Sequence, residues 1–168
     1  MVPRKIMLLG DIGVGKSSIA RRFVFDAFEE TYKPTLGADI YTQEIASGTA
    51  QANGGAKFII WDMDGNLGNS ILSLVYLRKA AAALVVGDRT RPGTLETMVA
   101  LGRQFLEAQP GSYCAFLLNK CDMPGALSEL PSPVLQSGIP SIPTSAKTGE
   151  NICHAFLAAA DAIRRRSV

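Results

Sequence analysis

The sequence predicts an α/β domain with a mostly parallel central sheet, one antiparallel hairpin strand and helices on both faces. Short apolar runs, typical of buried strands, alternate along the chain with segments whose apolar residues recur at helical spacing. A turn-rich segment between two such runs predicts the hairpin. The chain has 168 residues, of which 47% are hydrophobic and 19% are charged, so we expect one globular domain over residues 1–168.

The amino-terminal half is predicted to contain three strands and one helix. Residues 6–9 form a short apolar run, and residues 17–25 carry apolar side chains at helical spacing. Two further strand-like segments, residues 40–45 and 57–61, flank a segment rich in turn-forming residues. Its Asn53-Gly54 pair is a strong hairpin signal, so the two strands should be antiparallel neighbours.

The carboxyl-terminal half is predicted to alternate strands and helices. Apolar runs at residues 82–86 and 114–118 predict strands, and residues 95–106 and 152–163 each carry one apolar helical face. Three arginines at residues 164–166 suit the negative carboxyl end of the last helix. Residues 123–137 contain three prolines, which predicts a loop with at most a short helix.

Composition and the chain ends limit the possible partners. The formal net charge of +2 is too small to indicate a nucleic acid partner. Three cysteines without a C-x-x-C pair indicate reduced thiols in a cytoplasmic protein rather than a disulfide framework. Because signal peptide, membrane span, myristoylation site and prenylation box are all missing from the sequence, we expect no membrane anchor in this chain. The protein should be a soluble monomer, unless a tail was removed.

Residues 10–17 read G-D-I-G-V-G-K-S and match the pattern G-x-x-x-x-G-K-[ST] between a predicted strand and a predicted helix. Glycines let a backbone approach phosphate closely, and the loop N–H groups form an anion-binding nest at the positive helix end. Lys16 can reach the β- and γ-phosphates, and the Ser17 hydroxyl can ligate Mg²⁺. The alternative is an ordinary glycine-rich turn, but motif and context together favour a P-loop NTPase. The predicted phosphate-binding residues are Gly13, Val14, Gly15, Lys16, Ser17 and Ser18.

Two later motifs bear on the choice of base. Residues 119–122 read N-K-C-D directly after a predicted strand, and residues 145–147 read S-A-K. Either one alone could be a surface turn with solvated charges. In this order behind a P-loop, they resemble the guanine-specificity motifs of the Ras-like small GTPases. Residues 31–45, T-Y-K-P-T-L-G-A-D-I-Y-T-Q-E-I, are closest to the Rab branch.

The resemblance assigns roles around a guanine base. Asp122 would accept hydrogen bonds from the ring N–H and the exocyclic amine of guanine, a donor pair that adenine lacks. Asn119 would brace the base loops, and the stems of Lys120 and Lys147 would cover the ring. In the S-A-K motif, which begins at Ser145, the backbone N–H of Ala146 would meet the guanine carbonyl oxygen. Phe28 lies where the family keeps an aromatic residue against the base, although a plain core phenylalanine is the other interpretation.

Two segments resemble the switches of the family. In residues 32–37, Y-K-P-T-L-G, Thr35 would join Mg²⁺ only when the γ-phosphate is present; the alternative is a proline turn leading into a strand. Residues 61–66, W-D-M-D-G-N, are similar to the second-switch pattern W-D-x-A-G-Q. Asp62 would hold a Mg²⁺-bound water, and Gly65 would offer its N–H to the γ-phosphate. The implied metal-binding residues are thus Ser17, Thr35 and Asp62.

Three positions depart from the family pattern. Asp64 replaces the alanine of the second switch, Asn66 replaces the catalytic glutamine, and Ile12 stands where many members have a small residue beside the γ-phosphate. The resemblance implies a Ras-like GTP-binding domain over residues 1–168 that cycles between GDP and GTP with Mg²⁺ and hydrolyses GTP slowly. Its catalytic residues would be Lys16, Thr35, Gly65 and Asn66.

The family also implies partners and leaves rival functions open. An effector, an exchange factor and an activating protein are expected, but the sequence does not identify them. One alternative is a GTP-binding interaction module with negligible hydrolysis, which Ile12 and Asn66 favour. Another is a nucleotide-binding domain from a larger multidomain protein, as in the Roc-type relatives. An ATP-binding protein would leave both base motifs unexplained.

Overall fold

A central sheet of six strands organises the part of the chain that the structure, a computed structural model, describes: residues 2–45, 55–66 and 75–166. The strands are β1 (Arg4–Gly10), β2 (Ala38–Ile45), β3 (Ala56–Met63), β4 (Ala80–Asp88), β5 (Tyr113–Asn119) and β6 (Ser141–Pro143). Their order in the sheet is β2-β3-β1-β4-β5-β6. Every neighbouring pair is parallel except β2 and β3, which confirms the predicted sheet.

The register of the one antiparallel pair agrees with a hairpin. Ala38 lies opposite Met63 at one end of the pair, and Ile45 lies opposite Ala56 at the other. The predicted turn at Asn53-Gly54 lies outside the described residues. The pleat of β3 places Phe58 and Ile60 in the core on one face of the sheet, because successive side chains point to opposite faces.

Helices cover both faces of the sheet, as the sequence predicts. They are α1 (Lys16–Phe25), α2 (Pro92–Ala108), α3 (Ser132–Gln136) and α4 (Ile152–Arg166). Helices α1 and α4 pack on one face, where the rings of Phe23 and Phe156 stack with centroids 3.8 Å apart. Helices α2 and α3 pack on the other face, where Phe105 and Phe116 belong to a second buried core.

The proline-rich segment folds as its composition predicts. Within residues 123–137 the only regular element is α3, which has five residues and follows Pro131. Proline fixes φ and lacks an N–H, so it is tolerated in the first turn of a helix but not in its interior. The three arginines predicted to favour the end of the last helix occupy the last turn of α4.

The parallel strands bring their carboxyl ends to one edge of the sheet. Gly10 ends β1, Asp88 ends β4 and Asn119 ends β5, while Asp62 lies one residue before the end of β3. The three polar side chains among these are buried. Polar side chains at this edge are typical of ligand sites in open parallel sheets.

Two further predictions concern the thiols and the membrane. The three cysteines are free; Cys114 is buried, and burial raises the pKa of its thiol to about 12. Among the described residues, no helix combines the length and apolar character that crossing a bilayer requires.

Candidate functional site

A cleft of about 760 Å³ opens at the carboxyl edge of the sheet and collects residues from every predicted motif. Three predicted site residues do not line the cleft but lie directly behind it. Val14 is buried in the core, Asp62 contacts Ser17, and Ser145 contacts Asp122. The predicted site residues that line the cleft are Gly13, Gly15, Lys16, Ser17, Ser18, Phe28, Thr35, Gly65, Asn66, Asn119, Lys120, Asp122, Ala146 and Lys147.

The loop between β1 and α1 needs glycine at two of its turns. Gly13 has a φ of 72° and Gly15 a φ of 105°, in the left-handed region that residues with a Cβ rarely adopt. Gly15 also has no room for a side chain, because a Cβ there would lie 2.3 Å from Nδ2 of Asn119. The loop then enters α1 at Lys16.

Three consecutive carbonyl groups of this loop are held by side chains from other elements. Because C=O and N–H point in opposite directions in a trans peptide, the N–H groups that follow these carbonyls are directed toward the cleft. Three such N–H groups in a row, at the start of a helix, form an anion-binding nest. The three bonds run from Arg91 Nη2 to Ile12 O (2.8 Å), from Lys120 Nζ to Gly13 O (3.0 Å) and from Asn119 Nδ2 to Val14 O (2.9 Å).

The amine of Lys16 lies at the bottom of the same loop. Its Nζ donates to the carbonyl oxygens of Gly10 at 3.0 Å and Asp11 at 2.8 Å, and the side chain is buried. Burial lowers its pKa, although the nearby carboxylates of Asp62, Asp11 and Asp64 act in the opposite direction. A buried cation facing the nest gives the cleft positive charge where a phosphate chain would bind.

Oxygen atoms of three predicted metal-binding residues lie together beside Lys16. The hydroxyl oxygens of Ser17 and Thr35 are 2.9 Å apart, and the Ser17 hydroxyl donates to Oδ2 of Asp62. Asp62 is fully buried, and this burial raises its pKa to about 6. Its Oδ1 has no hydrogen-bond partner among the described residues. A buried carboxylate oxygen without a donor, next to two hydroxyls, fits a hard cation such as Mg²⁺.

At the other end of the cleft, the two base motifs are tied to each other. Oδ1 of Asn119 accepts the backbone N–H of Ala146 at 3.2 Å and the hydroxyl of Thr144 at 3.4 Å. Oδ1 of Asp122 accepts the hydroxyl of Ser145 at 2.6 Å. The Ala146 N–H, which is predicted to contact a guanine oxygen, therefore already donates to Asn119. The sequence does not indicate this bond.

Phe28 and Arg22 support the base end from the side of α1. Phe28 is half-buried, and it both packs on the core and lines the cleft, so its two interpretations are compatible. Arg22 donates to the carbonyl oxygens of Ala146 at 2.9 Å and Lys147 at 2.6 Å. The sequence does not predict this role of Arg22, because a helical arginine gives no local signal of a partner more than 120 residues away.

The second-switch segment lies against the phosphate loop. A Cβ on Gly65 would be 2.6 Å from the backbone nitrogen of Ile12, so only glycine fits at this approach. The Asp64 N–H donates to Gly37 O at 2.9 Å, and Asp64 Oδ1 accepts the N–H of Asn66 at 2.9 Å. Asp64 thus caps the turn that carries Asn66 and ties the second switch to the first.

Asp88 and Arg91 also belong to the site and were missed. The buried carboxylate of Asp88 pairs with Lys120 at 2.6 Å and with Arg91 at 3.0 Å, and both cations reach the phosphate loop. A signal for Asp88 exists in the sequence, since an acidic residue ends an apolar strand there just as Asn119 ends the next strand. Arg91 carries no such signal.

The fold and this loop define the class of protein. A parallel sheet whose first strand runs through a G-x-x-x-x-G-K-S loop into a helix is a P-loop NTPase fold. The family model described as "Ras of Complex, Roc, domain of DAPkinase" matches residues 5–122.

Curated relatives narrow the class. The chain is similar to Ras-related protein Rab-22A of Mus musculus, with 39% identity over 120 residues that cover 71% of this chain and 60% of the relative. It is also similar to Rab-31 of Rattus norvegicus, with 37% identity over 158 residues that cover 90% and 78%, respectively. RABF2b of Arabidopsis thaliana is 35% identical over 158 residues. The chain thus spans 60% of the length of Rab-22A and more of the other two. The chain belongs to the Ras-like small GTPases and is Rab-like within them.

Proposed function

We propose that this chain binds guanine nucleotide with Mg²⁺ in the cleft, hydrolyses GTP slowly and acts as a GDP/GTP-regulated switch. The observation that carries the proposal is the position of Asn119. Its amide joins the carbonyl of Val14 in the phosphate loop to the N–H of Ala146 in the base loop. One buried side chain therefore sets the spacing between a site for phosphate and a site for a base.

The nucleotide would lie along the cleft between these two ends. The inward N–H groups of the loop and the Lys16 amine would take the phosphates. Asp122 would take the two guanine donors through its carboxylate, while Ser145 fixes the orientation of that carboxylate. Phe28, Lys120 and Lys147 line the cleft where the base would lie.

Ser17 and Thr35 would hold Mg²⁺ through their hydroxyl oxygens, and Asp62 would accept a hydrogen bond from a water on the metal. The metal would neutralise charge on the phosphate oxygens. For Asp62 to play this part it has to be ionised, which its raised pKa of about 6 permits at pH 7. The close approach of Ser17 and Thr35 supports a role for Thr35 as the residue that responds to the γ-phosphate.

Hydrolysis would be slow because the residue that orients water is displaced. Asn66 has the amide of glutamine on a side chain shorter by one methylene, roughly 1.3 Å by normal bond geometry. A misplacement near 1 Å can cost on the order of 10²-fold in rate. Ile12 lines the cleft with 41% of its surface exposed, where an arginine from an activating protein would enter.

Two alternative functions each have one observation in their favour. A GTP-binding interaction module without measurable turnover is favoured by Asn66 and Ile12, and phosphate release from bound GTP, followed in a single turnover, separates it from the slow GTPase. A role as the nucleotide-binding unit of a larger protein is favoured by the match to the Roc model.

We also propose that residues 1–168 form one domain, that the chain is a cytoplasmic monomer, and that it works with an effector, an exchange factor and an activating protein.

Mass identification of the nucleotide that co-purifies with the protein tests the proposal. We expect GDP or GTP in a ratio near one per chain, and none with Lys16→Ala, which removes the cation of the phosphate site. Arg103→Ala on the exposed side of α2 is the matched control and should retain the nucleotide. An adenine nucleotide on the wild type would contradict the assignment of the base.

A further inference from the structure

We propose that Arg91 is a positioning residue that holds the phosphate loop in its anion-binding shape and thereby slows nucleotide release. This inference rests on the proposed function, since it assigns a further residue to the same site. Arg91 lies outside the five sequence motifs, immediately before α2.

The guanidinium of Arg91 bridges two elements. Its Nε donates to Oδ2 of Asp88 at 3.0 Å, and its Nη2 donates to the carbonyl oxygen of Ile12 at 2.8 Å. The planar guanidinium presents its donors in a rigid fork, so the bond to the carboxylate fixes the direction of the bond to the loop. The backbone is also anchored, because the Arg91 N–H donates to Asp88 O and the Arg91 carbonyl accepts the N–H of Thr94.

Asp88 is a rigid anchor for this bridge. Its side chain is 1% exposed, and it accepts the N–H and the hydroxyl of Thr90 as well as the bond from Lys120. Burial opposes its ionisation, yet the hydrogen bonds from Lys120, Thr90 and Arg91 outweigh burial and lower its pKa. One carboxylate thus holds two cations. These cations bond to two successive carbonyls of the loop, Arg91 to that of Ile12 and Lys120 to that of Gly13.

The direction of the Ile12 carbonyl determines which way the following N–H points. With the carbonyl turned outward to Arg91, the N–H of Gly13 turns inward to the cleft. The preceding carbonyl, that of Asp11, instead accepts from Lys16 Nζ at 2.8 Å, and the Ile12 N–H is satisfied by the Asp11 side chain at 2.7 Å. The peptides before and after Ile12 therefore face opposite ways. Gly13 has a φ of 72°, and glycine offers no steric resistance to other conformations. An external contact is therefore needed to hold this peptide in place.

Removing the Arg91 side chain should loosen the loop without disrupting the core. Asp88 would keep Lys120 and Thr90 as partners, so no buried charge would be left unpaired. The Ile12 carbonyl would lose the donor that holds it. Because 47% of the Arg91 side chain is exposed, water can partly replace that donor, and the effect should be moderate.

A plain surface ion pair between Arg91 and Asp88 is the competing interpretation. Exposed pairs at i, i+3 contribute little, and their loss would not alter a bound ligand. The bond from Arg91 to the loop makes the two interpretations differ in one measurable quantity, the rate at which nucleotide leaves.

The test is the release of a fluorescent GDP analogue from the Mg²⁺-loaded protein, chased with excess GDP. We expect Arg91→Ala to release the analogue about five- to tenfold faster than wild type, the range expected when a charge-assisted hydrogen bond is partly replaced by water. Arg91→Lys keeps a cation and a donor, so its acceleration of release should be no more than half of that caused by Arg91→Ala. Arg103→Ala removes an equal charge from the exposed side of α2, the helix that follows Arg91, and should release at the wild-type rate.

A second readout separates positioning from general destabilisation. The backbone amide resonance of Gly13 in the GDP complex should shift in Arg91→Ala, while those of Asn119 and Ala146 stay within the range seen for Arg103→Ala. Wild-type release by Arg91→Ala, or equal acceleration by Arg103→Ala, would overturn the inference. Failure of the wild type to bind the analogue would instead contradict the proposed function, so the two failures are distinguishable.

Discussion

At the scale of single residues, we predict that Asp122 determines the choice of base. Asp122→Asn should weaken GDP binding by about 1–3 kcal/mol, because a charged acceptor for two guanine donors becomes a neutral amide. It should also shift preference toward xanthosine diphosphate, whose edge presents an acceptor to that amide. Calorimetric titration with both nucleotides measures the change. Asp161→Asn, an exposed carboxylate paired with Arg164 on α4, is the control. Undiminished GDP affinity in Asp122→Asn would show that another residue reads the base.

A substitution of Thr35 tests the predicted metal site at the same scale. Thr35→Ala should leave GDP affinity nearly unchanged and weaken Mg²⁺-dependent binding of a non-hydrolysable GTP analogue by about 1–2 kcal/mol, since only the triphosphate recruits this hydroxyl. Nucleotide affinity measured across a Mg²⁺ titration gives both values. Thr97→Ala on the exposed side of α2 removes the same hydroxyl from a helix and should change neither. An equal loss for both nucleotides would remove Thr35 from the role of γ-phosphate sensor.

Site residues that belong to a sequence motif could be predicted from the sequence. Site residues whose role depends on a contact with a distant part of the chain could not. The G-D-I-G-V-G-K-S loop, N-K-C-D and S-A-K are short local patterns, and most of the site residues they name line one cleft, with Val14 and Ser145 directly behind it. The contacts that Arg22 and Arg91 make depend on tertiary packing. Arg22 bonds to Ala146, which is 124 residues away, and Arg91 bonds to Ile12, which is 79 residues away. The sequence also left the role of Asp64 open, because its bond to Asn66 depends on the shape of the turn.

At the scale of elements, periodicity predicts the strands and helices well. The apolar residues predicted for the last helix are the buried residues of α4. Boundaries are predicted less well, since β4 extends two residues beyond each end of the apolar run at residues 82–86. Hydrogen bonding continues through Gly87 and Asp88, whose pairing with Leu118 and Asn119 a hydropathy pattern does not reveal.

Two glycines of α2 give a matched test of how this helix packs. A Cβ on Gly102 would lie 2.6 Å from Cε1 of Phe116, whereas one on Gly93 would meet no atom within 4 Å. Gly102→Ala should therefore destabilise the protein by about 1–3 kcal/mol through overpacking, although alanine favours helices. Gly93→Ala should be neutral or stabilising by up to about 1 kcal/mol. Urea denaturation at one fixed nucleotide concentration measures both. Equal stability of the two variants would contradict the packing of α2 on β5.

At the scale of the whole molecule, the side chains of the sheet edge connect the phosphate and base ends of the cleft. Asn119 bridges the phosphate loop and the base loop, and Asp88 supports the same phosphate loop through two cations. The second switch approaches that loop at Ile12 and bonds to the first switch at Gly37. A change at the γ-phosphate position would therefore reach both switches through direct contacts, as a nucleotide-dependent switch requires.

Single-turnover hydrolysis of bound GTP tests the central claim most directly. Wild type, Asn66→Gln and the double variant Asn66→Gln with Ile12→Gly are loaded with GTP, and phosphate release is followed after Mg²⁺ is added, with Arg103→Ala as the control. The wild type should turn over slowly, and Asn66→Gln should be faster because the amide regains its reach. The double variant should be faster still, because the branched side chain of Ile12 no longer lies beside the γ-phosphate position. Fast turnover by the wild type, or a slower rate after glutamine is installed, would show that another residue positions the attacking water.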